Sequence, residues 1–188
     1  RRVLFRSPLP ALKREMAAIP ESTTGRTLAY RSAARFDQQE TTRPHLDGGP
    51  DESLLMLGYE PSAVDSELEI SDYAKCAFDR GISPKAFMAD YNPMFKPGYD
   101  MLRPYTTRVP CFAKTDYRIV CINNSCAAYA ESQPAWQGTL HTATIRTPDE
   151  TMSRVINSTM IASVPVGTAD KVDAEALDEF VSTSVVRR

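Results

Sequence analysis

Apolar residues follow two textures along this chain. Between residues 27 and 59, and again between 117 and 164, they come in short runs broken by turn residues. Between residues 71 and 110 they sit among capping residues and prolines. The clearest run is Ser53-Leu54-Leu55-Met56-Leu57-Gly58-Tyr59, continuous and bounded by turn signals, which predicts a fully buried strand. Residues 27–33 predict a strand, and 36–42 lead into a further extended segment at 43–47. Strands are also expected at 117–123, around His141, and from Arg154 to about Val164. Helices are expected where caps precede periodic stretches. Residues 12–18 form a short one, ended by Pro20 and the polar run to Gly25. A second starts at Ser71 or Asp72 and runs to Arg80, with Gly81 as its stop. Ser83-Pro84 opens a third by the cap-plus-proline signature, closed near Asn92-Pro93. Residues 172–183 read as a short acidic amphipathic helix. The pattern is mainly β with a helical insert at about 71–110 and an N-terminal segment at 1–26.

Length and charge narrow the function classes. At 188 residues one domain with a substantial core is the economical reading. Twenty-two basic residues against 24 acidic ones leave a net charge of −2, which predicts neither nucleic acid nor a membrane surface as partner. No apolar run approaches the ~18 residues of a membrane span. Cys76, Cys111, Cys121 and Cys126 lack metal-knuckle or disulfide-scaffold spacing, so reduced, mostly buried, non-functional thiols in a cytoplasmic protein are expected.

Candidate chemistry gathers on the two histidines. In Arg43-Pro44-His45-Leu46-Asp47-Gly48-Gly49-Pro50, His45 and Asp47 are two apart and leave the same face of a strand. The glycines and proline supply a turn directly afterwards. An imidazole and a carboxylate from one strand end make up two-thirds of a 2-His-1-carboxylate facial triad, which holds Fe(II) and leaves positions open. The other histidine, His141, lies on the β-rich stretch from Trp136 to Ile145, and Arg154 opens the following strand. Trp136 is either core or pocket wall.

This order of His-x-Asp, a long gap, a strand His and then an Arg resembles the Fe(II)/2-oxoglutarate-dependent oxygenases, near their taurine-dioxygenase-like branch. The resemblance implies a double-stranded β-helix, a jelly-roll or cupin-like barrel with flanking helices. It implies Fe(II) on His45, Asp47 and His141, with 2-oxoglutarate as cosubstrate and molecular oxygen as oxidant. It also implies oxidation, usually hydroxylation, of a small-molecule C–H bond with release of succinate and CO2. In such enzymes an insert like 71–110 often serves as a substrate lid; plain packing on the barrel is the other reading.

The resemblance also calls for an arginine on the far carboxylate of 2-oxoglutarate, where a guanidinium fork suits the geometry. Arg146 and Arg154 lie five and thirteen residues after His141. Alternation puts His141, Ala143 and Ile145 on one face and Arg146 on the other. Turn residues at 147–153 predict a hairpin that pairs Arg146 with Ser153 and Ile145 with Arg154. Arg154 then points inward, Ser158 faces His141, and the two lie roughly 14 Å apart along the strand. The Arg-x-Ser pattern of related enzymes is absent, because Ile156 holds the serine place. Ser158 and Asn123 are the candidates for a second contact. Two other classes share the ligand pattern or the fold: a zinc hydrolase with an activated water, and a non-catalytic jelly-roll binding domain.

Overall fold

The structure is a computed structural model and describes residues 5–109, 115–126 and 138–187. It opens with helix α1 (Pro8–Thr24), longer than the expected 12–18. Pro8 and Pro10 fall in its first turn, where a missing N–H is no loss. Pro20 removes one helical bond without ending the helix. The stop is Gly25, at a left-handed φ of 66° that a side chain would resist.

Among the described residues seven strands follow: β1 (Arg26–Asp37), β2 (Ser53–Tyr59), β3 (Asp65–Ser71), β4 (Thr106–Arg108), β5 (Arg118–Asn123), β6 (Leu140–Thr147) and β7 (Val155–Pro165). Between β3 and β4 lie α2 (Tyr73–Phe78), α3 (Pro84–Asp90) and α4 (Lys96–Leu102), and α5 (Ala174–Ser182) follows β7. The result is a mixed α/β fold rather than a mainly β one. The run at 53–59 forms its strand with the expected bounds. Asp72 and Ser83 cap α2 and α3 through their side chains, each accepting from the backbone N–H three residues on. Strand β3 was not anticipated, although Glu67 and Glu69 alternate with Leu68 and Ile70 as a half-buried strand requires.

All ladders are antiparallel, in two sheets ordered β1-β7-β2-β5 and β4-β3-β6. The pairing is nested. The first strand pairs with the last, β2 with β5, and β3 with β4 across the helical insert. Residues 41–45 complete the nest by running along β6, with His45 bridged to His141.

The expected β6–β7 hairpin does not exist. His141 lies opposite Ile70 of β3, and Ser158 lies opposite Ala34 and Leu57. The connection carries the chain from one sheet to the other. Turn residues fix only that a chain reverses. Strand β7 is buried on both faces, and a central place in the four-stranded sheet satisfies that requirement.

Two cores result. Between the sheets, Leu55, Leu57, Tyr59, Ile122, Ile156 and Met160 meet Leu68 of β3. On the other face of the four-stranded sheet, Tyr30, Met56 and Ile161 pack under Leu9 of α1 and Phe180 of α5. A third cluster joins the insert to the outside of the smaller sheet, through Tyr73, Phe87 and Leu102 against Leu140 and Leu46. Among the described residues, Cys76, Cys121 and Cys126 are free thiols, with Cys76 buried but Cys121 exposed. Cys111 and Trp136 lie outside the described residues. Among the described residues no helix is long and apolar enough to cross a membrane.

Candidate metal centre

The centre is built where residues 41–45 run along β6. His45 and His141 exchange both backbone hydrogen bonds, N–H to carbonyl at 3.2 Å each way, and so form a directly opposed pair. Their side chains leave the same face of the smaller sheet, with ring centroids 4.2 Å apart. Just before His45 the ladder slips by one residue, since Thr42 N and not Arg43 N donates to the Ala143 carbonyl at 2.9 Å. Threonine hydroxyls fill in: Thr42 Oγ1 accepts from Ala143 N at 2.9 Å, and Thr41 Oγ1 from Ile145 N at 3.0 Å. The metal segment is therefore strand-like without forming a full strand.

Asp47 follows His45 by two residues and reaches the same point. Its Oδ1 lies 3.3 Å from His45 Nε2 and 3.8 Å from His141 Nε2. One ligand atom from each of the three residues falls within 4.8 Å of the others, a group that can hold a metal ion. Two donors at ~2.0–2.2 Å from one ion stand about 3.0–3.4 Å apart, so modest adjustment closes this set on a cation.

The proton states suit ligation. His45 Nδ1 faces the Arg43 carbonyl at 2.7 Å, which directs the proton of a neutral ring to Nδ1, so a cation at Nε2 would displace the proton shared there with Asp47. Burial pushes the pKa of His141 down to about 4, with the neighbouring His45 adding to the shift, so its ring is neutral at pH 7. The hydrogen bond to Asp47 raises His45 against the opposing effect of burial, and the same bond lowers Asp47. His141 Nδ1 is buried with no hydrogen-bond partner. The site is graded in exposure, since the His141 side chain is 9% exposed and that of Asp47 37%.

A cavity of about 110 Å³ extends from these ligands between the sheets. Phe36, Leu57, Ile156 and Ala143 form its apolar walls, and Gln38, Thr42 and Tyr59 add polar atoms. No residue of the insert lines it. The insert instead packs behind the metal segment through Leu46, which alternates with His45 and Asp47. Packing, not a lid over this cavity, is what the described residues display.

Behind Gln38 and Tyr59 lies Arg154, 3% exposed. Its backbone N–H donates to Asp37 Oδ1 at 2.8 Å. Its Nε donates to Ser66 Oγ at 2.9 Å, and its Nη1 to Gln38 Oε1 at 2.7 Å and to the Gln38 carbonyl at 3.1 Å. Tyr59 carries its ring 5.2 Å from the guanidinium, yet the polar contact between them does not complete the group: Nη2 is buried without a hydrogen-bond partner. Burial lowers the pKa of Arg154, and Tyr59 and Asp37 oppose the shift. Among the described residues no carboxylate forms an ion pair with it, an expensive state for a buried cation. Arg146, by contrast, is half-exposed and pairs with Glu67 at 2.6 Å on the outer face.

The other two expected contacts lie elsewhere. Ser158 does not face His141, and neither it nor Asn123 lines the cavity. Asn123 closes the end of β5, its carbonyl accepting from Thr139 N at 2.7 Å and its Oδ1 from Ser125 N at 3.2 Å. Gln38, Tyr59 and Ser66 were missed. Gln38 and Ser66 carry no local signal, and Tyr59 reads as the end of an apolar run. No family model, curated protein or solved structure matches the chain.

Proposed function

We propose that the protein is a non-haem Fe(II)- and 2-oxoglutarate-dependent oxygenase acting on a small molecule. The observation that carries the reading is a cavity with three converging metal donors, backed beyond its lining residues Gln38 and Tyr59 by a buried arginine whose Nη2 has no hydrogen-bond partner among the described residues. The nested strand order supports the finer fold, a double-stranded β-helix. Winding a long hairpin into two facing sheets gives a jelly roll with this pairing. Two imidazoles and one carboxylate are the donor set of non-haem iron oxygenases, and three protein ligands leave positions free.

When bound, the metal and cosubstrate supply the oxidising power: the substrate C–H becomes C–OH, one oxygen atom of O2 enters succinate, and CO2 leaves. The chain's own residues do the rest. Arg154 offers Nη2 to the distal carboxylate of the diacid, and the Tyr59 hydroxyl lies close enough to the guanidinium to share that contact. Gln38 and Ser66 hold the guanidinium in place. Phe36, Leu57 and Ile156 keep water from the space between arginine and metal. At about 110 Å³ the cavity is well below the ~300 Å³ of a drug-sized pocket, which suits a short diacid. The primary substrate then approaches from the exposed Asp47 side. A zinc hydrolase could use the same three ligands but has no evident need for a buried, unpaired guanidinium.

The test is reconstitution with Fe(II) under air, following succinate formed from 2-oxoglutarate and metal content per chain. One iron per chain and iron-dependent succinate are expected. Metal binding without succinate would turn the reading to the hydrolase, and no metal binding to a jelly-roll binding domain.

A further inference from the structure

Asp47 is the least supported of the three ligands by regular structure. His45 and His141 are held by each other's backbone, but Asp47 begins the Gly48-Gly49-Pro50 turn and belongs to no strand. An added Cβ at Gly48 would meet nothing within 4 Å, so packing does not confine that turn at its start. Further on the turn is held, with Gly49 pressed against the Met160 side chain and the Pro50 carbonyl accepting from Ser53 Oγ at 3.0 Å, but the Asp47 peptide itself is held by one side chain. Asn124, 3% exposed at the end of β5, accepts from Asp47 N–H through Oδ1 at 2.9 Å and donates from Nδ2 to the Asp47 carbonyl at 3.0 Å. The amide thereby makes the two bonds that a neighbouring strand would otherwise supply. Its own position is fixed in turn. Asn124 N donates to the Ser53 carbonyl at 2.9 Å, and Nδ2 reaches Ser53 Oγ at 3.1 Å. The next residue, Ser125, accepts at its carbonyl from the buried Tyr73 hydroxyl at 2.7 Å.

We infer that Asn124 is the positioning residue of the metal centre: its amide sets the Asp47 peptide, and so the carboxylate, at ligating distance from the two histidines. The inference rests on the proposed metal site. It follows from the difference in restraint among the three ligands, because a carboxylate whose own peptide is not held must be ordered each time a metal binds. Partners one step removed from a metal typically govern affinity by ~10–100-fold. The amide is required in both roles at once. Asn124→Asp keeps the shape and the acceptor but replaces the donor by a second oxygen facing the Asp47 carbonyl. Asn124→Ala removes both bonds.

The experiment is calorimetric titration of the purified full chain with Mn(II) and Co(II), with the Co(II) absorption spectrum as a second readout. The proteins are the natural chain, Asn124→Ala, Asn124→Asp, Asp47→Ala and Tyr73→Phe. The last loosens the same polar knot without touching the Asp47 peptide, and thermal melts register the stability cost of each change. Both Asn124 variants are expected to bind ~10–100-fold more weakly and to give a changed Co(II) spectrum. Tyr73→Phe should bind as the natural chain does, whatever stability it loses. Equal affinity and spectrum in either folded Asn124 variant would overturn the inference while leaving the metal site intact. If affinity follows stability alone, so that Tyr73→Phe weakens binding in step, the role is structural and the inference also falls. Absence of binding by the natural chain would instead remove the metal reading itself.

Discussion

The metal group and the buried arginine behind the cavity wall are built on opposite principles. At the metal group, His45 and His141 are set by paired backbone, Asp47 comes from a turn, and His45 and Asp47 stand partly open to solvent and neutralise one another through their contact. At the arginine, a cation is buried to 3% exposure with neutral partners, and both N–H groups of Nη2 are without a partner among the described residues. The metal group needs no further partner to neutralise it, whereas a buried guanidinium without a counter-charge is an expensive state. On the proposed function this asymmetry serves two ligands, because a carboxylate already paired with Arg154 would compete with the diacid.

The largest effect expected of any change is at the metal group. Asp47→Ala or His141→Ala should cost more than the ~10–100-fold in affinity that a supporting residue commands, measured by Mn(II) titration, and should abolish succinate formation. Unaltered binding in either variant would erase the contrast between the two. Next is the buried arginine. Arg154→Ala should raise the 2-oxoglutarate concentration needed for turnover by roughly 10–100-fold, the loss of a hydrogen bond to a charged group. Arg146→Ala, on an exposed ion pair with Glu67, should change it little. A large loss in the Arg146 variant alone would move the anion site to the outer face.

The third test concerns proton uptake by the metal-free protein. His141 is held down to about 4, whereas an unfolded histidine titrates near 6.5. Between those values the unfolded chain takes a proton that the folded one refuses. Stability contributed by neutral His141 therefore falls as pH drops through this window, by up to about 3 kcal/mol. His45 acts in the opposite sense, since its raised pKa gives stability present at low pH and lost as pH rises through the folded value. Urea unfolding of the metal-free chain and of His141→Gln should thus diverge below pH 6.5, the variant losing less. Parallel curves would mean that His141 is not buried as described. The smallest effect is expected in the insert. Hydrogen exchange over α2, α3 and α4 should change little on addition of metal or 2-oxoglutarate, because the insert packs behind Leu46 and lines none of the cavity. Strong protection there would restore the lid.

Legibility in the sequence followed the range of the interactions. The strand at 53–59 and the caps at Asp72 and Ser83 rest on neighbouring residues and are readable from them. His45 and Asp47 share a face because two residues separate them, again a local matter. The partner of β6 was not readable: turn residues at 147–153 suit a hairpin and a sheet-to-sheet crossing equally. Arg154 is buried all the same, but through its contacts with Asp37, Gln38 and Ser66 rather than through a hairpin register. The error displaced Ser158, which faces Ala34 and Leu57. In the Asn123-Asn124-Ser125 turn, a difference of one residue separates a strand end from a clamp on Asp47, and only the pairing of β5 with β2 decides it.

The nested pairing also governs how such a chain comes to fold. Contacts between distant segments carry the entropy of closing the loop between them, so the shortest closure forms most readily. Here that is β3 with β4 over the helical insert, then β2 with β5, and only then residues 41–45 with β6. The three ligands are thus assembled in one of the last closures. A divalent ion should leave the refolding rate nearly unchanged and slow unfolding instead, acting as a latch on a finished molecule rather than a template for an unfinished one.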